Sequence, residues 1–246
     1  MRLSDFDALS FDCYGTLIDW ESGILAVLVP WAKQHRLGIG HETLLATFAQ
    51  QEAAAEARTP DARYPEVLAR SFIGVGHELN APVLGEDAQR LASSVPDWPA
   101  FPDSHDALTS LAERYRLFIL SNVDRESFGA SNEKLDVCFA GIVTAEDVGS
   151  YKPSKRNFEA LLTHVGLNGV QPGRLLHVAQ SLFHDHVPAK TVGLPTVWID
   201  RRGERDGWGA TPPPPIKVAP DWMFPSMAAF AARVSNETRG HQRITQ

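Results

Sequence analysis

The chain has 246 residues and a formal net charge of −7 at pH 7, with 43% hydrophobic and 22% charged residues. This composition is typical of a soluble enzyme, and the acidic balance argues against binding to nucleic acid or anionic membranes, which attract excess Lys and Arg. No apolar run reaches the roughly 18 residues of a membrane span, and the first residues contain no apolar signal core. We therefore predict a cytoplasmic protein in which Cys13 and Cys138 are reduced.

Four strand-like apolar runs occur along the chain, and helix-like segments separate the later ones. The runs are Ala8–Phe11, Leu117–Ser121, Leu175–Ala179 and Thr196–Ile199. This alternation predicts an α/β fold, a doubly wound parallel (Rossmann-like) sheet covered by helices. The proline run Pro212–Pro215 cannot continue a helix or a central strand and predicts a surface loop.

A long segment between the first two runs, from about Trp20 to Trp98, is rich in Ala, Leu, Glu and Gln and has apolar residues at helical spacing. It predicts an all-helical cap domain inserted after the first strand. The predicted domains are an α/β core of residues 1–16 and 99–235, a cap of residues 17–98, and a polar C-terminal tail of residues 236–246.

A carboxylate follows the first strand directly. Asp12 comes after Phe11, with Gly15 and Thr16 close behind. Because open α/β sheets bind ligands at the carboxyl ends of their strands, Asp12 is predicted to face that crevice and to act as a nucleophile.

The run Phe11-Asp12-Cys13-Tyr14-Gly15-Thr16-Leu17 resembles the first motif of the haloacid dehalogenase superfamily, in its 2-haloacid dehalogenase branch. Phosphatases of the superfamily carry a second Asp two residues after the nucleophile, which protonates the leaving alcohol. Tyr14 stands at that place here. A departing halide needs no proton, so this difference favours dehalogenation.

The later motifs follow in the superfamily's order. Ser121 and Asn122 end the second strand-like run, Lys152 begins the third motif, and Asp185 belongs to the fourth. The resemblance implies that Thr16, Ser121 and Lys152 hold Asp12 in place and keep it ionised. It implies that Asp185 activates the hydrolytic water, while Asn122 binds carboxylate or halide. Asp221–Met227 resembles the last short strand and helix of the superfamily core.

No metal cofactor is predicted. Tyr14 and Gln180 stand where the metal-dependent branch carries acids, and Mg²⁺ usually takes more than one carboxylate. We instead assign Tyr14 and Gln180 to the substrate- or halide-binding residues. The triplet His184-Asp185-His186 has no third His or Cys at matching spacing, which argues against a zinc site.

One arginine of the insert is a candidate anion receptor. The 2-haloacid dehalogenases carry a cap arginine, followed six residues later by a tyrosine, that takes the halide. Arg58 and Tyr64 have that spacing. A guanidinium stays charged and offers several N–H donors to an anion, so we predict that Arg58 binds the halide or the substrate carboxylate.

These residues predict hydrolytic dehalogenation of short 2-haloalkanoic acids to 2-hydroxy acids through an aspartyl ester on Asp12. A small-molecule substrate and a homodimer are expected. Two alternatives remain open at this point: a magnesium-dependent phosphatase acting on a small metabolite, and a non-catalytic binding protein with the same fold.

Overall fold

The computed structural model describes residues 1–242 of the chain. Its centre is a six-stranded, all-parallel sheet with the strand order β3-β2-β1-β4-β5-β6. The strands are β1 (Ala8–Phe11), β2 (Arg116–Ser121), β3 (Gly141–Thr144), β4 (Leu175–Ala179), β5 (Thr196–Ile199) and β6 (Trp222–Phe224). The fold is the doubly wound α/β architecture that the sequence predicted.

Ten α-helices accompany the sheet in the described part of the chain. They are α1 (Trp20–Gln34), α2 (His41–Arg58), α3 (Tyr64–Glu78), α4 (Gly85–Ala92), α5 (Ser104–Ala112), α6 (Arg125–Leu135), α7 (Ala145–Val148), α8 (Lys155–Leu167), α9 (Val187–Thr191) and α10 (Met227–Gln242). A π-helical turn spans Leu182–His186 between β4 and α9. None of the described helices has the length and hydropathy to cross a membrane.

The two central strands explain why the sheet forms around Asp12. Every residue of β1 and β4 is buried, as expected for parallel strands covered by helices on both faces. Phe11, the last residue of β1, pairs with Ile119 of β2 and Val178 of β4. Asp12 therefore leaves the sheet between two strands that end at the same edge.

Helices α1–α4 occupy the interval between β1 and β2, where the sequence predicts an all-helical insert. Their apolar faces pack into the main hydrophobic cluster through Trp31, Phe48 and Phe72, among others. The chain enters and leaves this insert at one point, because Ile18 forms an antiparallel bridge with Ala100.

The C-terminal segment differs from the predicted tail. Helix α10 continues beyond Asn236 to Gln242, because Phe230, Ala231 and Val234 bury an apolar stripe that anchors it. Residues 243–246 of the predicted tail lie outside the described residues.

Candidate active site

Asp12 is buried at the carboxyl end of β1, and both oxygens of its side chain are held. Its backbone N–H donates to the carbonyl of Val178 at 3.1 Å. The Thr16 hydroxyl donates to Asp12 Oδ2 at 2.7 Å, and Lys152 Nζ donates to Asp12 Oδ1 at 2.8 Å. Gly15, at φ +88°, makes the turn between Asp12 and Thr16, a conformation that L side chains rarely adopt. The carboxylate is thus fixed by its own loop and by a distant lysine.

Lys152 is the cation of the site. Its ammonium is 1% exposed and donates to Asp12, to Asp185 Oδ1 at 2.7 Å and to the carbonyl of Leu120 at 3.0 Å. An ammonium has three N–H bonds, so all of its donors are used. The two carboxylates raise the pKa of Lys152 above its ordinary value against the opposing effect of burial, and the lysine stays charged.

Asp185 lies on the π-helical turn after β4 and is fully buried. Besides Lys152, its Oδ1 accepts from Nε2 of His177 at 3.0 Å, and Nδ1 of that ring lies 2.9 Å from the Ser10 hydroxyl. Asp185 Oδ2 is buried without a hydrogen-bond partner among the described residues. This oxygen is free to accept a hydrogen bond from water or substrate.

The two aspartates differ in acidity although both contact the same ammonium. Burial raises the pKa of Asp12, and Lys152 opposes that shift. Burial acts on the Asp185 carboxyl in the same direction, but Lys152 and His177 together hold the pKa of Asp185 well below its ordinary value. Asp185 therefore stays ionised and suits the orientation of a water molecule better than the removal of a proton.

Asn122 clamps the loop that carries Lys152. Its Oδ1 accepts from the backbone N–H of Lys152 at 2.7 Å, and its Nδ2 donates to the Lys152 carbonyl at 3.0 Å. A further hydrogen bond runs from Nδ2 to Oε1 of Glu56, at 3.2 Å. Asn122 thus positions the lysine and also joins the sheet edge to the helical insert.

A small cavity of about 30 Å³ lies above Asp12, between the sheet edge and the helical insert. That volume suits only a small ligand. Its lining residues are Asp12, Tyr14, Trp20, Glu52, Glu56, Tyr64, Asn122, Lys152, Ser181, His184, Asp185 and Thr211.

The insert contributes two carboxyl groups to this cavity. Glu52 and Glu56 lie one turn apart on α2 and are 3% and 6% exposed. The Tyr64 hydroxyl, on α3, donates to Glu52 Oε1 at 2.8 Å. Burial raises the pKa of Glu52 to about 8, and the pKa of Glu56 also lies well above its ordinary value because of burial and the neighbouring Glu52.

His184 adds a neutral ring to the cavity wall. Desolvation by burial lowers its pKa to about 4. The Ser181 hydroxyl accepts from the backbone N–H of His184 at 2.9 Å and lies 3.2 Å from Nδ1 of the ring, so its own O–H can donate to that nitrogen. In the tautomer whose Nδ1 accepts this hydrogen bond, the ring proton is on Nε2, which is buried without a partner among the described residues.

Comparison with known proteins places this arrangement in a family. Residues 6–179, well over half of the chain, match the haloacid dehalogenase-like hydrolase family. The chain belongs to this family. A curated relative of this hydrolase, (S)-2-haloacid dehalogenase 4A from Burkholderia cepacia, is 27% identical over 221 residues, which are 87% of each chain.

Solved structures share the fold at low sequence identity. The L-2-haloacid dehalogenase from Xanthobacter autotrophicus with chloropropionic acid covalently bound has a TM-score of 0.75 at 17% identity and covers 94% of this chain and 98% of its own. A putative hydrolase of the superfamily from Bacillus subtilis, bound to magnesium, has a TM-score of 0.72 at 15% identity and covers 94% and 99%. The fold is thus common to relatives described with a covalent substrate and with a metal.

The structure of this hydrolase brings together most of the residues that the sequence singled out. Asp12, Thr16, Lys152 and Asp185 form one hydrogen-bonded group, with Asn122 beside it. Ser121 ends β2 as predicted, but its hydroxyl has no partner among the described residues and is not part of the cavity wall.

The structure does not bring Arg58 to the cavity, which corrects the prediction. Arg58 is exposed in the last turn of α2. It follows Glu56 by two residues, a rotation of about 200° around the helix axis. Because Glu56 faces the cavity, Arg58 faces solvent.

Two other predicted contacts are also placed differently. The Tyr14 ring lines the cavity, but its hydroxyl lies 2.8 Å from the Ser131 hydroxyl, on the side of α6. The backbone N–H of Gln180 donates to Thr16 at 2.9 Å, while its side chain lines a neighbouring cavity near Arg201. Gln180 thus supports Thr16 instead of lining the cavity above Asp12.

The donor set does not fit a magnesium ion of the kind the wider fold family uses. Lys152 occupies the position between the carboxylates of Asp12 and Asp185, and the hydroxyl of Tyr14 and the side chain of Gln180 lie elsewhere. Among the described residues no group of three His, Cys, Asp or Glu side chains could hold a metal.

Sequence reasoning missed Glu52 and Glu56, although a signal was present. Leu45, Phe48 and Ala49 form a buried stripe on α2, and the same spacing leads to positions 52 and 56. Two acids that continue an apolar stripe are buried or face a cavity.

Proposed function

We propose that this hydrolase removes halide from short 2-haloalkanoic acids and releases 2-hydroxy acids, without a metal, through an ester on Asp12. The observation that carries the proposal is the environment of Asp12: a buried carboxylate at a small cavity, held by Lys152 at 2.8 Å and by Thr16 at 2.7 Å. The similarity to curated and solved haloacid dehalogenases supports the same reaction.

In the first step a carboxylate oxygen of Asp12 attacks the halogen-bearing carbon, and the halide leaves with the electron pair of the broken bond. Thr16 and Lys152 fix the direction of attack. Displacement by a fixed carboxylate splits a difficult attack by water into two easier steps.

In the second step water attacks the carbonyl carbon of the ester, and Asp12 is regenerated while the hydroxy acid departs. The unpartnered Oδ2 of Asp185 lies in the cavity wall and accepts a hydrogen bond from this water. The oxygen of the water thus becomes part of the Asp12 carboxylate, one of its protons passes to the alkoxide oxygen of the departing hydroxy acid, and the other is released to solvent.

We assign the leaving halide to the Nε2–H of His184. His184 lines the cavity, and its Nε2 is buried without another partner among the described residues. Another N–H donor of the cavity wall, Asn122 Nδ2, is already used by Lys152 and Glu56.

Isotope labelling tests the proposal directly. A single turnover with 2-chloropropionate in oxygen-18 water should place the label in the Asp12 peptide, with unlabelled product, because the product oxygen comes from the carboxylate. Asp12→Asn should abolish chloride release, whereas Asp106→Asn, at an exposed position of α5, should not change it. The wild-type rate should be the same in EDTA. Label in the first-turnover product with none in the peptide, or loss of activity in EDTA that magnesium restores, would refute the proposal.

A further inference from the structure

Glu52 and Glu56 are not explained by the chemistry at Asp12. Both reach into the cavity from α2, on the side opposite the nucleophile. Each accepts one hydrogen bond at Oε1, from Tyr64 and from Asn122 respectively. No described residue donates to either Oε2, so these oxygens are available to a ligand.

No protein cation is available to these glutamates. Lys152 is the single Lys or Arg among the described residues lining the cavity, and its three N–H bonds go to Asp12, Asp185 and a backbone carbonyl. A buried carboxylate without a cation is costly. Two such groups one helical turn apart would also repel each other. The favoured state of the pair is therefore protonated and neutral, in agreement with the raised pKa of each.

A protonated carboxyl group is a hydrogen-bond donor. Arg58 faces solvent and the donors of Asn122 are occupied, so neither of these two residues is left for the carboxylate of a 2-haloacid. We propose that Glu52 and Glu56 act as neutral carboxylic acids that donate hydrogen bonds to the carboxylate of the substrate. This inference deepens the proposed function and rests on it, since it takes the ligand to be a small acid.

Of the other groups that face the pair, the three tyrosines, Lys152, Asp185 and His184 keep their charge between pH 6 and 9, whereas burial raises the pKa of Asp12. Around it lie Tyr64 on α3, Tyr14 and Asp12 after β1, Tyr151 and Lys152 before α8, and His184 and Asp185 after β4. Burial raises the pKa of Tyr14, Tyr64 and Tyr151 above the ordinary value, and His184 is neutral because its pKa lies at about 4. A change in ligand binding over this pH range that is lost when both glutamates are replaced by Gln would therefore report on the glutamates and not on Asp12.

The test measures binding of propionate, which has no halogen and cannot form the ester, by titration calorimetry. For wild-type enzyme we expect Kd to rise about tenfold between pH 6 and pH 9, since ionisation of the pair removes the donors. At pH 8.5, binding in buffers of different ionisation enthalpy should reveal proton uptake.

Glu52→Gln and Glu56→Gln keep a neutral donor of the same shape, so the double variant should bind propionate at pH 6 and change Kd by less than twofold up to pH 9. Glu78→Gln, at an exposed position of α3, should behave as wild type.

Several results would overturn the inference: no propionate binding at any pH, a Kd that does not change with pH in wild-type enzyme, or a pH dependence that persists in the double Gln variant. Tighter binding of propylammonium than of propionate at pH 7.5 would also overturn it, because an ionised pair receives a cation. Single Gln variants with native circular dichroism replace the double variant if it does not fold. Propionate binding that depends on pH through both glutamates, in a protein that releases no chloride from 2-haloacids, would refute the proposed reaction and leave this inference standing. Normal chloride release together with propionate binding that does not change with pH would refute this inference and leave the proposed reaction standing.

Discussion

At the scale of single residues, the site depends on a few buried groups whose charges are fixed by their neighbours. Lys152 serves Asp12 and Asp185 at once, and it leaves no cation for an incoming anion. The proposed function therefore assigns ligand recognition to neutral donors on the cavity wall, with His184 as the donor for the halide.

A comparison of His184 and Arg58 tests this assignment. We expect Arg58→Ala to change kcat for chloride release less than twofold, because Arg58 faces solvent. His184→Ala should lower kcat by roughly 100-fold, the lower end of the range for a lost charge-stabilising donor. His184→Gln, which keeps an N–H near Nε2, should recover part of the loss. Normal kcat in His184→Ala, or a large loss in Arg58→Ala, would contradict the assignment.

The sequence predicted the residues of the sheet edge because their positions follow from local pattern. Asp12, Asn122 and Lys152 each come directly after a strand or before a helix, and the carboxyl ends of parallel strands meet at one edge. The side chains of the insert follow no such rule, since their direction depends on the rotation of α2 against the sheet. Glu56 and Arg58 are two positions apart on α2 and therefore point in nearly opposite directions from the helix axis. The rotation of the helix thus decides which of the two side chains enters the cavity.

At the scale of elements, one ionic cluster joins the insert to helices α6 and α7 of the α/β core. Arg63 precedes α3 and contacts Asp124 and Glu126 at 3.0 Å and Glu146 at 3.3 Å. Asp124 also caps α6 through the backbone N–H of Ser127. Since Tyr64 follows Arg63 directly, this cluster fixes the start of the helix that contacts Glu52.

Arg63→Ala should therefore raise KM with little change in kcat, and lower Tm by about 2 °C, a modest loss because Arg63 is half exposed. Arg70→Ala is the matched control, because Arg70 pairs with Glu66 within α3 and touches no part of the sheet. Steady-state kinetics and thermal unfolding of the two variants provide the measurement. An equal rise of KM in both would refute a specific role for the Arg63 cluster.

Among the elements, the sequence predicted the strands whose residues are buried throughout, such as β1 and β4. It did not predict β3, Gly141–Thr144, where the first two residues are only half-buried. An edge strand this short has too little apolar pattern to stand out, and only its pairing with β2 reveals it.

At the scale of the whole molecule, buried titratable groups set the pH range of stability. Burial lowers the pKa of His184 and His186 to about 4, and it raises the pKa of Glu52 to about 8. Between pH 4.5 and 6.5 the unfolded chain binds more protons at the histidines than the folded chain, which raises the free energy of unfolding as pH rises. It binds fewer protons at the glutamates, which lowers the free energy of unfolding over the same range, so the two effects oppose each other. Above pH 6.5 only the glutamate effect remains, and stability falls as pH rises.

We therefore expect a plateau in Tm between about pH 4.5 and 6.5, a decline of several degrees toward pH 8.5, and a steep decline below pH 4, where Asp185 becomes protonated on unfolding. Thermal unfolding across this range, followed by circular dichroism, measures the profile. A Tm that rises from pH 6.5 to 8.5 would show that the glutamates are ionised in the folded protein.

The junction between sheet and insert carries a wider consequence. Beyond the Ile18–Ala100 bridge, the N–H of Asp19 donates to the carbonyl of Pro99 at 2.8 Å and the N–H of Phe101 to that of Leu17 at 2.9 Å. Topologically, the four helices between these residues are one large loop closed at its base. Exchanging that loop for another requires two peptide joints and leaves every strand register intact. The proposed nucleophile, Asp12, and the proposed ligand-binding residues of the insert, Glu52 and Glu56, thus lie on parts of the chain that evolution, or an engineer, can recombine separately.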